Sequence, residues 1–181
     1  MKSKLAIVTG NAMKFRELSL ALGGHFDCEQ KEIKGYHEIQ GTAEEILAHK
    51  LAAAYEAFQM PVLVDDVSVS FDMWNGFPGP YMKDFLEHVH PYELGQRFSG
   101  ERMRAVCRLG IAMGRTETIL AEGSISGRIV PALPGEEGIM HFDVCVQADG
   151  MPKRMQEYSP EEKNEFSHRG LAIKDLLSKL Q

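Results

Sequence analysis

Three short stretches of this 181-residue chain combine charged side chains with turn-forming residues, and each could bind a phosphate or a metal ion. The first is VTGNAMKFREL, Val8 to Leu18, where an apolar run gives way to a helical pattern. Gly10 permits a tight turn, Asn11 tolerates unusual dihedral angles, and Lys14 falls in the first helical turn. A strand-to-helix junction points backbone N–H groups at one place, so this spacing indicates an anion site. An ordinary turn with a solvated lysine is the alternative.

The second stretch places two adjacent carboxylates, Asp65 and Asp66, at the end of the apolar run Val62–Val64. Open α/β sheets form their binding sites at the carboxyl ends of strands. Successive strand side chains point to opposite faces, so we expect one acid to reach a metal and the other to support a loop. Mg2+ needs one or two protein carboxylates, with phosphate oxygens and water completing its shell. A turn-capping acid pair is the alternative.

The third stretch, EKNEFSHRG, concentrates Lys163, His168 and Arg169 around Ser167. Ser167 could cap the last helix and direct that helix's N-terminal N–H groups at a ligand. Charged stretches of this kind are also common at solvated helix junctions, which is the competing interpretation. Taken together, the three stretches favour a phosphate-bearing small molecule whose charge is shared with a metal ion.

Composition excludes several other classes of function. The chain has 20 Lys and Arg against 26 Asp and Glu, so its net charge of -6 disfavours a nucleic-acid partner. Its apolar runs are too short to cross a membrane, and Thr9-Gly10-Asn11 interrupts the first of them, which argues against a signal peptide. Three distant cysteines predict free thiols in a reducing, cytoplasmic compartment. The length predicts a single domain over residues 1–181.

Hydrophobic periodicity predicts an α/β fold with a mixed sheet. The predicted strands are 5–8, 62–64, 67–71, 106–113 and 119–130, of which 67–71 should have one solvent-facing side. The predicted helices are 13–22, 46–58, 81–88 and 171–180. Capping boxes at Thr42–Glu45 and Ser159–Glu162 predict two helix starts. Gly123 and Gly127 indicate a bulge or a close backbone approach in the last strand.

Three separated blocks of the chain resemble the inosine triphosphate pyrophosphatase family. TGNAMKFREL, VLVDDVSVSFDMWNGFPGPYMKDFLE and EKNEFSHRGLAIKDLL occur in that family's order and approximate spacing, and the resemblance runs from about residue 5 to the C-terminus. Such enzymes hydrolyse non-standard purine nucleoside triphosphates (ITP, dITP and XTP) to the monophosphate and pyrophosphate. The resemblance implies an elongated mixed β-sheet flanked by helices, with two lobes around a central nucleotide-binding cleft. It also implies Mg2+ dependence and a homodimer.

The resemblance also implies roles for individual residues, carried over by matching position. The triphosphate would be contacted by Thr9, Asn11 and Lys14, and the substrate also by Lys50. The metal would be bound by Glu38 and Asp66, and Asp66 would also be the catalytic proton acceptor. The base would be held by Phe142 and Asp143, and the substrate would further be contacted near its base and phosphates by Lys163, His168 and Arg169.

The chain departs from the family pattern at two places. Val67 follows Asp66 where the family usually has Ser or Thr, and His141-Phe142-Asp143-Val144 replaces the usual Gly-aromatic-Asp-Pro. The metal and phosphate residues are complete, so these departures concern base preference. Two alternatives stay open: a related nucleotide pyrophosphatase with a different base preference, and a sensor module that binds nucleoside triphosphates without turnover. The carboxylate pair Glu38 and Asp66 disfavours the sensor, which needs the lysines alone.

Overall fold

The computed structural model describes residues 2–180. In this range the strands are β1 (Ser3–Val8), β2 (Phe26–Lys31), β3 (Val62–Phe71), β4 (Pro78–Gly79), β5 (Arg102–Ala112), β6 (Thr118–Ile129) and β7 (Val146–Ala148). The α-helices of the same range are α1 (Ala12–Leu22), α2 (Ala43–Phe58), α3 (Met82–His88), α4 (Pro91–Arg97), α5 (Pro160–Phe166) and α6 (His168–Lys179). None of the helices in residues 2–180 has the length and apolar character that crossing a membrane requires.

The strands form a mixed sheet, which confirms the predicted α/β class. The strand order is β2-β1-β3-β5-β6-β7, and β4 pairs with β3. β1 runs parallel to β2 and β3, whereas the other pairs are antiparallel. β5 and β6 make a long hairpin whose register continues without interruption from Arg102–Arg128 to Ala112–Thr118. The predicted pair of long strands is therefore confirmed.

Side-chain caps start the helices where the sequence predicts them. The Thr42 hydroxyl accepts a hydrogen bond from the Glu45 amide (3.2 Å), and the Glu45 carboxylate accepts one from the Thr42 amide (2.8 Å). Ser159 and Glu162 form the same reciprocal box at α5. The Ser167 hydroxyl accepts from the Gly170 amide (3.1 Å) and caps α6, as predicted. These contacts satisfy N–H groups that the first helical turn leaves without partners.

β3 differs from its prediction in a way that matters for the site. The sequence predicts a strand end after Val64, but β3 continues through Asp65 and Asp66 and pairs with β5 along its whole length. The predicted solvent-facing side is also wrong at Ser68, which is buried. β3 lies between β1 and β5, so the ladder of backbone hydrogen bonds outweighs the local polarity of the two acids. The acids therefore occupy the middle of a central strand.

The elements β2, β4, β7 and α4 have no counterpart among the sequence predictions, and β2 and α4 show the physical reason. β2 has the polar sequence FDCEQK and forms through its parallel pairing with β1 at the edge of the sheet. α4 begins at Pro91 and is capped by His90, whose ring Nδ1 accepts from the Tyr92 amide (3.1 Å). Both elements depend on tertiary contacts or on a histidine cap, which hydrophobic periodicity does not reveal.

Three clusters of buried apolar side chains hold the layers together. One lies between the sheet, α1 and α6, a second between the sheet and α2, and a third around α3, α4 and the far end of β3. α6 packs so closely on β6 that a Cβ added at Gly123 would lie 2.2 Å from the Ala172 amide nitrogen. The predicted close approach is thus confirmed at Gly123, with no bulge in the described β5–β6 ladder.

Candidate active site

A cleft of about 860 Å3 brings the three stretches together. Its walls contain most of the predicted site residues, namely Thr9, Asn11, Lys14, Glu38, Lys50, Phe142, Asp143, His168 and Arg169. Asp66 and Lys163, the remaining two, are buried beside residues of this wall. Positions about 160 residues apart in the chain thus share one cleft, and the structure contradicts none of the predicted placements.

The turn between β1 and α1 is held by its own side chains. The Thr9 hydroxyl accepts a hydrogen bond from the Asn11 amide (3.1 Å). The Asn11 side-chain oxygen accepts from the Met13 amide (2.9 Å) and the Lys14 amide (3.2 Å), so Asn11 is the helix N-cap. Its φ of -94° is ordinary extended backbone. The Asn11 cap already accepts hydrogen bonds from two backbone amides of the first helical turn. An anion at this turn would therefore interact with the positive end of the helix dipole and with the Lys14 ammonium.

Asp65 joins this turn to the helices. Its carboxylate is 2 % exposed and lies 2.9 Å from Lys14 Nζ and 3.6 Å from Arg169 Nη2. Its backbone oxygen accepts a hydrogen bond from Lys50 Nζ at 2.9 Å. Burial by itself would raise the pKa of the Asp65 carboxyl, but Lys14, Arg169 and Lys50 hold that pKa well below its usual range. Asp65 is therefore an ionised brace that orients two lysines and an arginine.

Asp66 has the opposite environment because it points to the other face of β3. It is 6 % exposed, and its Oδ2 has no hydrogen-bond partner among residues 2–180. Burial raises the pKa of the Asp66 carboxyl to about 6, Lys50 opposes that shift, and Glu38 adds to it. A carboxyl with such a pKa is suited to accept a proton near neutral pH.

The carboxylates of Glu38 and Asp66 suit a hard divalent cation. Glu38 is partly exposed in the cleft wall, 3.8 Å from Lys50 Nζ, and Asp66 has an unpartnered buried oxygen within the described chain. No group of three or more His, Cys, Asp or Glu suited to a metal occurs within residues 2–180. Two carboxylates with room for phosphate oxygens and water match what Mg2+ takes from proteins.

A second part of the cleft, around Phe142 and Asp143, is built from paired charges that are mostly buried. Lys163 forms an ion pair with Asp143, and although burial alone would raise the Asp143 pKa, Lys163 holds it below its usual range. Burial lowers the pKa of His168 to about 3, with Arg169 adding to the shift, so its imidazole is neutral at ordinary pH. The Phe142 ring packs edge-on against Phe71 at a centroid distance of 6.1 Å.

Glu17 is a site residue that the sequence does not single out. It lies on α1, is buried, accepts a hydrogen bond from Arg169 Nη1, and lies 3.9 Å from Lys163 Nζ. The available signal is an acid three positions after Lys14, which places both on one helical face. Its partners lie about 150 residues further along the chain, so spacing alone does not reveal them.

Comparison with known proteins gives the family. The Ham1 family model matches residues 5–179, which is nearly the whole chain. The chain belongs to the Ham1 family. A Schizosaccharomyces pombe relative named inosine triphosphate pyrophosphatase is 34% identical over 176 residues, covering 95% of this chain and 92% of the relative. Inosine triphosphate pyrophosphatase 1 of Trypanosoma cruzi is 34% identical over 173 residues, covering 94% and 88%.

Solved structures of the Ham1 family have the same architecture. A HAM1 protein from Coxiella burnetii superposes with a TM-score of 0.78 at 20% identity, covering 99% of this chain and 98% of that one. The Staphylococcus aureus Ham1 protein gives a TM-score of 0.69 at 25% identity, covering 98% of both chains. These similarities confirm the mixed α/β fold.

Proposed function

We propose that this member of the Ham1 family hydrolyses non-standard purine nucleoside triphosphates (ITP, dITP and XTP) to the monophosphate and pyrophosphate, with Mg2+. Family membership and relatives named inosine triphosphate pyrophosphatase support this hydrolase activity. The observation that carries the proposal is one cleft in which Lys14 and Lys50 lie beside the carboxylates Glu38 and Asp66. A triphosphate needs such cations, and its hydrolysis needs such carboxylates.

Glu38 and Asp66 are the residues that would hold Mg2+. When bound, the ion would neutralise phosphate charge and favour ionisation of the attacking water. Asp66 lies in a buried position and accepts the proton of that water. Attack at the α-phosphorus then releases pyrophosphate, and Lys14 and Lys50 stabilise the charge that develops on it.

The base would be read in the part of the cleft around Phe142 and Asp143, the base end, and the triphosphate would be bound around Lys14 and Lys50, the phosphate end. A 6-keto purine accepts hydrogen bonds where adenine donates them, and a buried donor left unpaired is costly, so donors at the base end favour 6-keto purines over adenine. The buried His168 Nδ1 and Arg169 Nε have no partners among residues 2–180, whereas both Arg169 Nη atoms lie near acids. We assign Phe142 to stacking and Asp143 to the base edge, with Lys163 holding Asp143 in place.

The same proposal covers the form of the active protein. We propose a single domain over residues 1–181, which the continuous sheet supports, and a homodimer in the cytoplasm, which the family resemblance and three free cysteines support. Light scattering after size-exclusion chromatography measures the mass directly. A mass of one chain, about 20 kDa, at micromolar concentration would contradict the homodimer.

The experiment that tests the function measures pyrophosphate release with Mg2+ from ITP, XTP, GTP, ATP and a pyrimidine triphosphate in parallel. We expect preferential turnover of ITP and XTP, with the monophosphate and pyrophosphate as products. Preference for a pyrimidine would favour the related pyrophosphatase, in agreement with Val67 and the altered sequence around Phe142. Binding of several triphosphates without turnover would favour the sensor.

A further inference from the structure

Arg154 is a buried arginine outside the residues assigned above, and two of its partners, Glu136 and Val144, bound the segment that carries the base-binding residues. Its side chain is 11% exposed and lies just before the 3-10 helix Met155–Glu157. The guanidinium donates to both carboxylate oxygens of Glu136, at 2.6 and 3.2 Å. It also donates to the Glu157 carboxylate at 3.3 Å and to the Val144 backbone oxygen at 2.9 Å.

These contacts hold the two ends of one loop. Glu136 lies near the start of the segment 136–144, where its carboxylate also accepts from the Leu133 amide at 2.6 Å. Val144 ends the segment, within the 3-10 helix Phe142–Cys145. His141, Phe142 and Asp143 lie between these two anchors, and all three line the cleft. Arg154 therefore contacts both ends of the segment that carries the base-binding residues, and Arg154 itself is not among the residues of the cleft wall in the described chain.

The geometry has the features of a rigid clamp. Two parallel hydrogen bonds between a guanidinium and a carboxylate fix the orientation of the two groups as well as their distance, which a lysine ammonium does not do. A buried arginine must find partners for its donors, and here they come from a loop, a 3-10 helix and its own turn. Removing the guanidinium would leave the Val144 carbonyl without this donor and Glu136 with the Leu133 amide but no charged partner, so the segment 136–144 would lose its fixed position.

We propose that Arg154 is a positioning residue for base recognition. Through Glu136 and Val144 it fixes the segment that presents Phe142 and Asp143 to the base, while the phosphate end of the cleft is independent of it. This inference rests on the proposed function, because it assigns the base to that wall. The phosphate end is built from β1, α1 and α2, with which Arg154 has no hydrogen bond or ion pair in the described chain.

The test separates base binding from phosphate binding with Arg154→Met and its matched control Arg102→Met. Arg102 forms the same two-pronged pair, with Asp149 at 2.7 and 2.6 Å, but on the exposed surface. Steady-state kinetics are measured with ITP and ATP, together with inhibition by inorganic tripolyphosphate, which has no base. For Arg154→Met we expect about a tenfold loss of the ITP-to-ATP preference in kcat/KM, mainly through KM. The tripolyphosphate inhibition constant should stay unchanged, and Arg102→Met should change neither quantity.

Two further variants keep the proposal open to contradiction. Arg154→Lys retains the positive charge but cannot form two parallel hydrogen bonds with Glu136, so it should retain only part of the base preference of the wild type. Glu136→Gln, which keeps the shape of its partner, serves if Arg154→Met does not fold, and it should lower the preference in the same direction. An unchanged preference in the folded variants, or an equal loss of ITP and tripolyphosphate binding, would overturn the positioning role. If the wild-type chain turns over no triphosphate, the proposed function fails, and the ratio of ITP to tripolyphosphate dissociation constants still tests the clamp.

Discussion

The two ends of the cleft, to which we assign the triphosphate and the base, use the same residue types at different degrees of exposure. At the proposed phosphate end the Lys14 and Lys50 side chains are 27% and 20% exposed and line the cavity, although both also contact Asp65. At the base end Lys163 is 7% exposed and is already paired with Asp143 and close to Glu17. Arg169 likewise has both Nη atoms near acids.

This difference separates binding cations from structural cations. A partly exposed lysine can exchange water for phosphate oxygens, whereas a buried, neutralised lysine mainly keeps its acid partner in place. The phosphate end should therefore act on every triphosphate alike, and the base end should decide which triphosphate is accepted. The predictions that follow test this division, beginning with the largest expected effect.

Asp66→Asn should remove turnover and preserve nucleotide binding. An amide cannot accept the proton of the attacking water, so kcat should fall by about 10²- to 10⁴-fold for every substrate. Single-turnover assays with ITP and XTP, together with calorimetry on a non-hydrolysable triphosphate, measure both quantities. Asp149→Asn, on an exposed acid, is the matched control and should retain full activity. A fall in kcat for only one of the two substrates would contradict the proposal that the phosphate end acts on every triphosphate alike.

Lys14→Met should lower kcat/KM for all nucleoside triphosphates by similar factors. Loss of a charged hydrogen bond costs about 1.5–3 kcal/mol, so kcat/KM should fall by roughly 10- to 150-fold. The ratio of kcat/KM for ITP to that for ATP should stay within about twofold, since we assign Lys14 to the phosphate end. Lys174→Met, which breaks an exposed ion pair with Glu165 on the distant α6 surface, is the control. A changed base preference in Lys14→Met would count against the comparison.

Lys163→Met should change base preference and stability together. It leaves the Asp143 carboxylate, whose side chain is 25% exposed, without its ion-pair partner, and losing a hydrogen bond between charged groups costs about 1.5–3 kcal/mol of unfolding free energy. The ITP-to-ATP preference should fall by about tenfold because Asp143 loses its fixed position. Urea denaturation and parallel kinetics with tripolyphosphate inhibition measure these effects. Weaker tripolyphosphate inhibition in the folded variant would show instead that Lys163 binds phosphate directly.

The smallest effect concerns pH and His168. Its pKa of about 3 in the folded state lies below the ordinary value near 6.5, so the unfolded chain binds the proton more readily. The stability due to the neutral imidazole is complete above pH 6.5 and is lost as pH falls, by at most about 1.4 kcal/mol per pH unit. His168→Gln should therefore lose less stability than the wild type between pH 7 and 5 in urea denaturation. His88→Gln, on an exposed histidine, should follow the wild type.

The sequence predicts hydrogen bonds between near neighbours better than ion pairs between distant residues. In the turn at Thr9–Lys14 and in the caps at Thr42 and Ser167, residues within three positions form hydrogen bonds with one another, so the residue types and their spacing predict these features. The ionic partners at the base end are far apart in the chain. Glu17 with Arg169 and Arg154 with Glu136 are examples that spacing alone does not pair.

By itself the sequence determined the α/β class, the family resemblance and the caps that start α2, α5 and α6, because periodicity, caps and turn motifs act over a few neighbouring residues. Tertiary structure alone decided that β3 runs through Asp65 and Asp66 and so gives the two acids opposite environments. Burial and charge partners set a carboxyl's pKa, and those are properties of the packed layers around a residue. Asp65 and Asp66 are adjacent residues of the same type, yet one is an ionised brace and the other is a carboxyl suited to accept a proton.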